Sequence, residues 1–283
     1  MKKYYFSTFI TSFICISSHA QISPSSAVDA SMSSTSPAAF GLDEWRFPVI
    51  KDTWRFTLGL GVASRPSFQG SSTQVLRGTP TLGATYGRYF IGNAGSTGVG
   101  IGAYFLSTDN LRLGISVSGG GSPRKASLDP RLTGLGDVAS TIRGNLFASY
   151  RADWLLVRTN YSTDLGGKAE GTTASFDLDA RYRPSDKLSL VAGPGLTWSS
   201  AQYAQTFYGV TAAQSASSGL AAYNAGVGVS QVRFTVGADY RLAEQWNLST
   251  RLITSTLKGS AAVSPITQTK YQNSLGISAA YRF

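Results

Sequence analysis

From Trp54 onward the chain reads as a series of short segments in which apolar side chains recur at every second position. Across Trp54-Arg55-Phe56-Thr57-Leu58-Gly59-Leu60-Gly61-Val62 the even-numbered positions are apolar and the odd ones polar or glycine. The same period of two marks segments 111–117, 142–150, 174–182, 188–198, 232–240 and 246–252. Successive side chains of a strand point to opposite faces, so each segment predicts a strand with one apolar face. Less regular segments at 79–86, 88–93, 98–106 and 153–162 fit the same scheme. The last segment carries Leu275, Ile277, Ala279, Tyr281 and Phe283 against Gly276, Ser278, Ala280 and Arg282, and it runs to the final residue. The count is about twelve strands of about 6–13 residues, an even number of the length that spans a bilayer when tilted.

The connections alternate in length. Short turns are predicted at 107–110, 151–152, 184–186 and 242–245, and long loops at 64–76, 120–137, 164–171, 199–224 and 258–271. Short periplasmic turns and long outer loops are the pattern of an all-β, antiparallel transmembrane β-barrel. Trp54, Tyr86, Tyr150, Trp154, Tyr182, Tyr240, Trp246 and Tyr281 gather at the short-turn ends, where amphipathic rings favour a membrane interface. A soluble β-sandwich would carry the row Asp177, Asp179, Arg181 and Arg183 on its core face, at a high desolvation cost. A final strand that spends its apolar face up to a terminal aromatic resembles the signal read by the bacterial barrel-assembly machinery. That assigns the signal to Leu275, Ile277, Ala279, Tyr281 and Phe283.

Composition agrees with lipid on one side of each strand. Charged residues are 14% of the chain, against roughly 25% in soluble domains. Tyr and Phe number 14 each and Gly 31. No apolar run reaches the length of about eighteen residues that a transmembrane helix needs. Ahead of the barrel, Lys2 and Lys3, an apolar run at 4–16 and Ser18-His19-Ala20 follow the order of an export signal, cleaved between Ala20 and Gln21. Cys15 follows Ser12-Phe13-Ile14, a poor match to the small-residue pattern that lipidation requires. The expected organisation is a signal peptide at 1–20, a Ser-, Ala- and Pro-rich periplasmic leader at 21–52 and a barrel at 53–283.

Cleavage removes the single Cys and the single His, so the mature chain is expected to have no imidazole or thiol. A Ser–His or Asp–His hydrolase is then excluded, and catalysis is not expected. Loss of Lys2 and Lys3 lowers the formal charge of +10 by two. For an exported chain this basic balance points to outer-membrane lipid and lipopolysaccharide rather than nucleic acid. Strand parity places Arg55, Arg112, Arg143, Arg158, Arg181, Arg233 and Arg251 inside the barrel with Asp177, Asp179 and Asp239. Asp177 and Asp179 share a face, which suits either a Ca²⁺ or acid/base pair or, preferably on so Arg-rich a wall, partners for arginine. Unpaired, the arginines would favour anions in a channel; paired, they would fill the barrel. Arg124, Lys125 and Arg131 in a long outer loop suit contact with lipopolysaccharide phosphates. No cofactor or metal is expected.

Several segments resemble the MipA/OmpV family of outer-membrane proteins, also called MltA-interacting proteins. They are Pro66-Ser67-Phe68-Gln69-Gly70-Ser71, Arg131-Leu132-Thr133-Gly134-Leu135-Gly136-Asp137 and Ala192-Gly193-Pro194-Gly195-Leu196-Thr197-Trp198. Phe207-Tyr208-Gly209-Val210-Thr211, Ser218-Gly219-Leu220, Leu257-Lys258-Gly259-Ser260-Ala261, Ser264-Pro265-Ile266 and Tyr281-Arg282-Phe283 continue the series in order. The resemblance covers 54–283 and implies an outer-membrane barrel. For one branch it implies a scaffold that joins a lytic transglycosylase to a penicillin-binding protein during murein growth. It assigns no contact residues. A non-enzymatic scaffold is therefore the first expectation, and a small-solute, anion-favouring channel the second.

Overall fold

The computed structural model describes residues 52–92, 99–119 and 124–283. The signal peptide with its cleavage site at Ala20 and Gln21, the leader up to residue 51, and the expected strand ends at Asn93 and Gly98 lie outside them. The described residues contain twelve strands: β1 (Arg55–Pro66), β2 (Gln74–Tyr86), β3 (Tyr89–Gly92), β4 (Gly100–Ser107), β5 (Leu111–Gly119) and β6 (Ile142–Arg151) form the first half. The second half is β7 (Leu155–Asp164), β8 (Thr172–Tyr182), β9 (Leu188–Ser199), β10 (Gly228–Arg241), β11 (Trp246–Leu257) and β12 (Tyr271–Arg282). Each strand runs antiparallel to its neighbours in the chain, and β12 returns to β1 to close a barrel. Leu58 stands opposite Tyr281, Leu60 opposite Ala279, Val62 opposite Ile277 and Ser64 opposite Leu275. Past the end of β12, the Phe283 N–H still donates to the Phe56 carbonyl at 3.0 Å. Closure satisfies the backbone of the two terminal strands internally, as a bilayer requires.

Alternation decides which side chains face out. In β1, Phe56, Leu58, Leu60 and Val62 are exposed, Leu60 at 71%. In β7, Leu156, Arg158, Asn160 and Ser162 are buried while Val157 and Tyr161 point outward. The polar row is thus enclosed and the apolar row left bare, the inverse of a soluble sheet. At the short-turn end Trp54 and Tyr86 form one aromatic contact and Trp246, Tyr281 and Phe283 a second set, with centroids 5.1 Å apart for Trp54–Tyr86 and for Trp246–Tyr281. At the opposite end Tyr161, Trp198 and Tyr271 are exposed. Two aromatic levels bracketing an apolar belt are what a bilayer selects.

Two expectations about the outer connections need correction. The first loop is shorter than 64–76, because the β1–β2 ladder continues to Pro66 opposite Gln74. The connection after β9 is not irregular: it folds into α1 (Ala201–Tyr208) and α2 (Ala212–Ser218), and the one after β11 holds a short α3 (Gly259–Ala262). Local capping explains both longer helices. Ser200 Oγ accepts the Tyr203 N–H, and Thr211 and Gln214 satisfy each other's backbone in a capping box. Gly219, at φ +74°, then ends α2 in the left-handed conformation that a side chain resists.

Candidate functional site

Two constructions in the barrel bring functional side chains together: a lid over the long-loop end and a charged inner wall. Five outer connections meet in the lid, at 67–73, 124–141, 165–171, 200–227 and 258–270. Tyr203, Phe207 and Tyr208 of α1 pack with Ala225, Leu257 and Ala261 in one apolar cluster. Phe68, Leu132, Leu135, Val210 and Ile266, drawn from four different loops, form a second. Polar bonds tie the loops across these clusters. The Tyr208 hydroxyl donates to Gln69 Oε1 at 2.5 Å, and Ser264 Oγ donates to the Tyr208 carbonyl at 2.6 Å. Gln214 Nε2 reaches the Leu135 carbonyl at 2.6 Å, Arg131 Nη2 the Pro265 carbonyl at 2.9 Å, and Thr206 Oγ1 the Ala169 carbonyl. At Gly134 (φ +82°) an added Cβ would sit 2.5 Å from the Ser217 carbonyl oxygen, so only glycine lets α2 come this close.

Arg124 is enclosed in this lid, 5% exposed, with Nη1 donating to the Phe207 carbonyl at 2.7 Å near the end of α1. A carbonyl at a helix C-terminus is a natural acceptor for a cation. Burial draws the Arg124 guanidinium below its usual range and pushes the Tyr208 phenol well above its own. Of the residues expected to meet lipopolysaccharide, Lys125 and Arg131 are exposed and Arg124 is not.

The inner wall is built from opposed charges. Arg233 donates from Nε at 2.9 Å and from Nη2 at 2.5 Å to Asp177 Oδ1, across β9. Gly195 makes that geometry possible, since a Cβ there would lie 2.2 Å from Asp177 Oδ1. Arg158 Nη2 binds Asp179 Oδ2 at 2.5 Å, and Arg251 binds Asp239. Asp177 and Asp179, expected as neighbours on one face, are both 7% exposed, yet each engages a different arginine. Arg143 holds Glu170 at 3.2 Å and Ser162 Oγ at 2.8 Å. Arg112 donates to Ser107 Oγ at 3.1 Å and lies over the Tyr104 ring, 4.8 Å from its centroid. Arg55 and Arg181 sit half-buried at the short-turn end, where Arg181 Nη2 reaches the Asp153 carbonyl at 3.1 Å.

Glu170, Tyr104 and the lid helices escape the sequence reading. Glu170 lies in a loop without periodicity and is fully buried, paired with Arg143. The capping pair Thr211 and Gln214 was the available signal for α2. Of the residues assigned to the assembly signal, Leu275, Ile277 and Phe283 are exposed on the outer face, while Ala279 and Tyr281 are half-buried against their neighbours.

A search of curated proteins finds no match to this sequence. Among solved structures the chain is similar to the outer membrane channel DcaP of Acinetobacter baumannii, with 10% identity over 82% of this chain and 96% of that one, at a TM-score of 0.38. It is similar to the toluene transporter TbuX of Ralstonia pickettii at 15% identity over 89% and 96%, with a TM-score of 0.38. For OmpT, an outer membrane protein of Vibrio cholerae, the values are 10%, 82%, 97% and 0.37. None of these likenesses carries an activity over to this chain; its barrel rests on its own closed strand pairing. A family model described as "MltA-interacting protein MipA" matches residues 58–283, which takes in every strand from β2 onward, β1 from Leu58 and the whole described lid. The chain therefore belongs to the MltA-interacting protein MipA family.

Proposed function

We propose that the chain is exported by a signal cleaved between Ala20 and Gln21, and that the barrel-assembly machinery reads β12 and inserts the barrel in the outer membrane. There it serves as a non-enzymatic scaffold for murein remodelling. Its short-turn end faces the periplasm and offers a surface to a lytic transglycosylase and a penicillin-binding protein. The observation that carries this reading is the lid: four outer loops share two apolar clusters, and the loop at 165–171 is tied to them by the bond from Thr206 to the Ala169 carbonyl. The family description supports the transglycosylase as partner. Extraction in mild detergent tests it, with the tagged barrel expected to bring both murein enzymes with it. Recovery of the barrel alone, with those enzymes detectable in the same lysate, overturns the scaffold.

An anion-favouring channel is the second reading, supported by an inner wall on which arginines outnumber carboxylates. Planar-bilayer recording separates the two. Discrete, anion-selective conductance steps support the channel, and silence rejects it.

A further inference from the structure

On the lipid side of the barrel, β2 presents Leu82, Ala84 and Tyr86 in one outward row. Ala84 is the small member, and its ladder partners are Phe56 on β1 and Ile91 on β3. Leu58 and Leu82 stand beside it one step further along, and Phe283 flanks it, fixed by its bond to the Phe56 carbonyl. One methyl side chain among five large ones leaves a groove of 460 Å³ lined by Phe56, Leu58, Leu82, Gly83, Ala84, Ile91 and Phe283. That volume falls within the range of small-molecule sites, about 300–1,000 Å³. The lining is apolar throughout.

Its position says what fills it. The groove lies just inside the aromatic level made by Trp54, Tyr86 and Tyr89, all exposed. A solute in water does not reach an apolar dent above an interfacial ring of this kind, whereas a hydrocarbon chain lies in it by default. Below the ring, the β2–β3 turn carries Arg88, exposed at headgroup depth. A guanidinium at that depth pairs with phosphate. We propose that this groove is a binding site for one phospholipid of the periplasmic leaflet, its acyl chain over Ala84 and its phosphate at Arg88. The leaflet, though not the groove, rests on the orientation given above. Phe283 then has two roles, extending the pairing of the closing strand to the Phe56 carbonyl and forming a wall of the lipid site.

Native mass spectrometry of the detergent-purified barrel with added phosphatidylglycerol tests this. Wild type is expected to keep one lipid through detergent exchange. Ala84→Leu fills the groove and should weaken retention about tenfold, the loss when roughly two methylenes no longer find cover. Arg88→Gln should keep the lipid but lose the preference for phosphatidylglycerol over phosphatidylcholine. Equal retention by Ala84→Leu, retention of detergent alone, or a second copy of the chain on this face each overturns the site. A measurement without a groove variant guards against misfolding. Chain-brominated phosphatidylglycerol at low mole fraction should quench the fluorescence that Trp54→Phe removes by more than its share of the bulk lipid. Quenching in simple proportion to that share also overturns the site. Heat-modifiable mobility and fractionation with outer membranes report the barrel class, and protease cleavage of the long loops in intact cells reports the orientation, so failure of either is distinguishable from failure of the groove.

Discussion

Arg251 Nη2 lies 2.8 Å from both carboxylate oxygens of Asp239, and the pair spans the β10–β11 ladder with Asp239 fully enclosed. Ser249 Oγ supplies a further bond to Asp239 Oδ1 at 2.7 Å. Such a pair gains little over an apolar replacement, but removing one member strands a buried charge. Arg251→Met should cost about 3–5 kcal/mol in urea unfolding from lipid vesicles. Arg251→Met combined with Asp239→Leu should recover most of that loss. A double variant as unstable as the single one would mean that the pair contributes more than charge cancellation.

Gly195 tests the second pair through space alone. A Cβ at Gly195 would lie 2.2 Å from Asp177 Oδ1 and 2.8 Å from Arg233 Nε. The carboxylate has a short side chain held at both guanidinium contacts, so it has little room to withdraw. Gly195→Val should destabilise by about 1–3 kcal/mol, the usual cost of overpacking. Gly78 in β2 has nothing within 4 Å of its Cβ position. Gly78→Val should stay within about 0.5 kcal/mol of wild type. Equal effects at the two glycines would show that strand propensity, not the ion pair, sets the cost.

These pairs mark the boundary of what the sequence alone discloses. Strand identity and facing are legible because one physical rule, lipid outside and polar atoms inside, acts on every residue of a strand with period two. Leu58, Leu60 and Val62 obey it, and so do Arg158 and Arg251. Which arginine meets which carboxylate is not legible, because the partners come from different strands: Asp177 reaches past β9 to Arg233, and Arg143 turns to Glu170 in a loop. The lid is still less legible. Phe68, Leu132, Val210 and Ile266 are single apolar residues in four separate loops, and only the closed barrel brings them within contact. The family motifs stand out as an ordered series for the same reason, since most of them are lid segments and Gly195 is the space for an ion pair.

Tyr208 should give the lid a distinct alkaline response. Burial raises its phenol above the usual value of about 10, so between that value and its folded value the native state holds a proton that the unfolded chain releases. The unfolded state then binds fewer protons, and stability must fall as pH rises above about 10, by up to about 1.4 kcal/mol per pH unit for one such group. Tyr208→Phe should remove that added slope. It should also cost about 1 kcal/mol at neutral pH, through loss of the bond to Gln69. Denaturant unfolding of both forms from pH 8 to 11 reads this out, and parallel curves would exclude Tyr208 as the source.

Leu60 offers a direct test of the belt. It is 71% exposed and stands between Pro80 and Ala279 in the β2 and β12 ladders. Leu60→Arg should cost about 2–4 kcal/mol in a bilayer if the residue lies near mid-membrane. Leu60→Phe should be nearly neutral. A mild arginine effect would move Leu60 to the interface and shift the whole belt along the barrel axis.

Replacing residues 201–224 by a short Gly-Ser linker should separate the lid from the barrel beneath it. The segment contains α1 and α2, the rings of Tyr203, Phe207 and Tyr208, and the carbonyl that Arg124 binds. The β9–β10 ladder, from Gly228 opposite Ser199 to Tyr240 opposite Leu188, lies outside it. Barrel closure should therefore survive, seen as unchanged heat-modifiable mobility. The remaining loops lose both the apolar cover of α1 and the bond from Gln214 to Leu135, so proteases added outside should cut them faster. On the reading that the lid occludes the outer end, single-channel recording should show conductance steps in the linker variant and none in wild type. Equal conductance in both would mean that the lid leaves a path open, and would put the channel ahead of the scaffold.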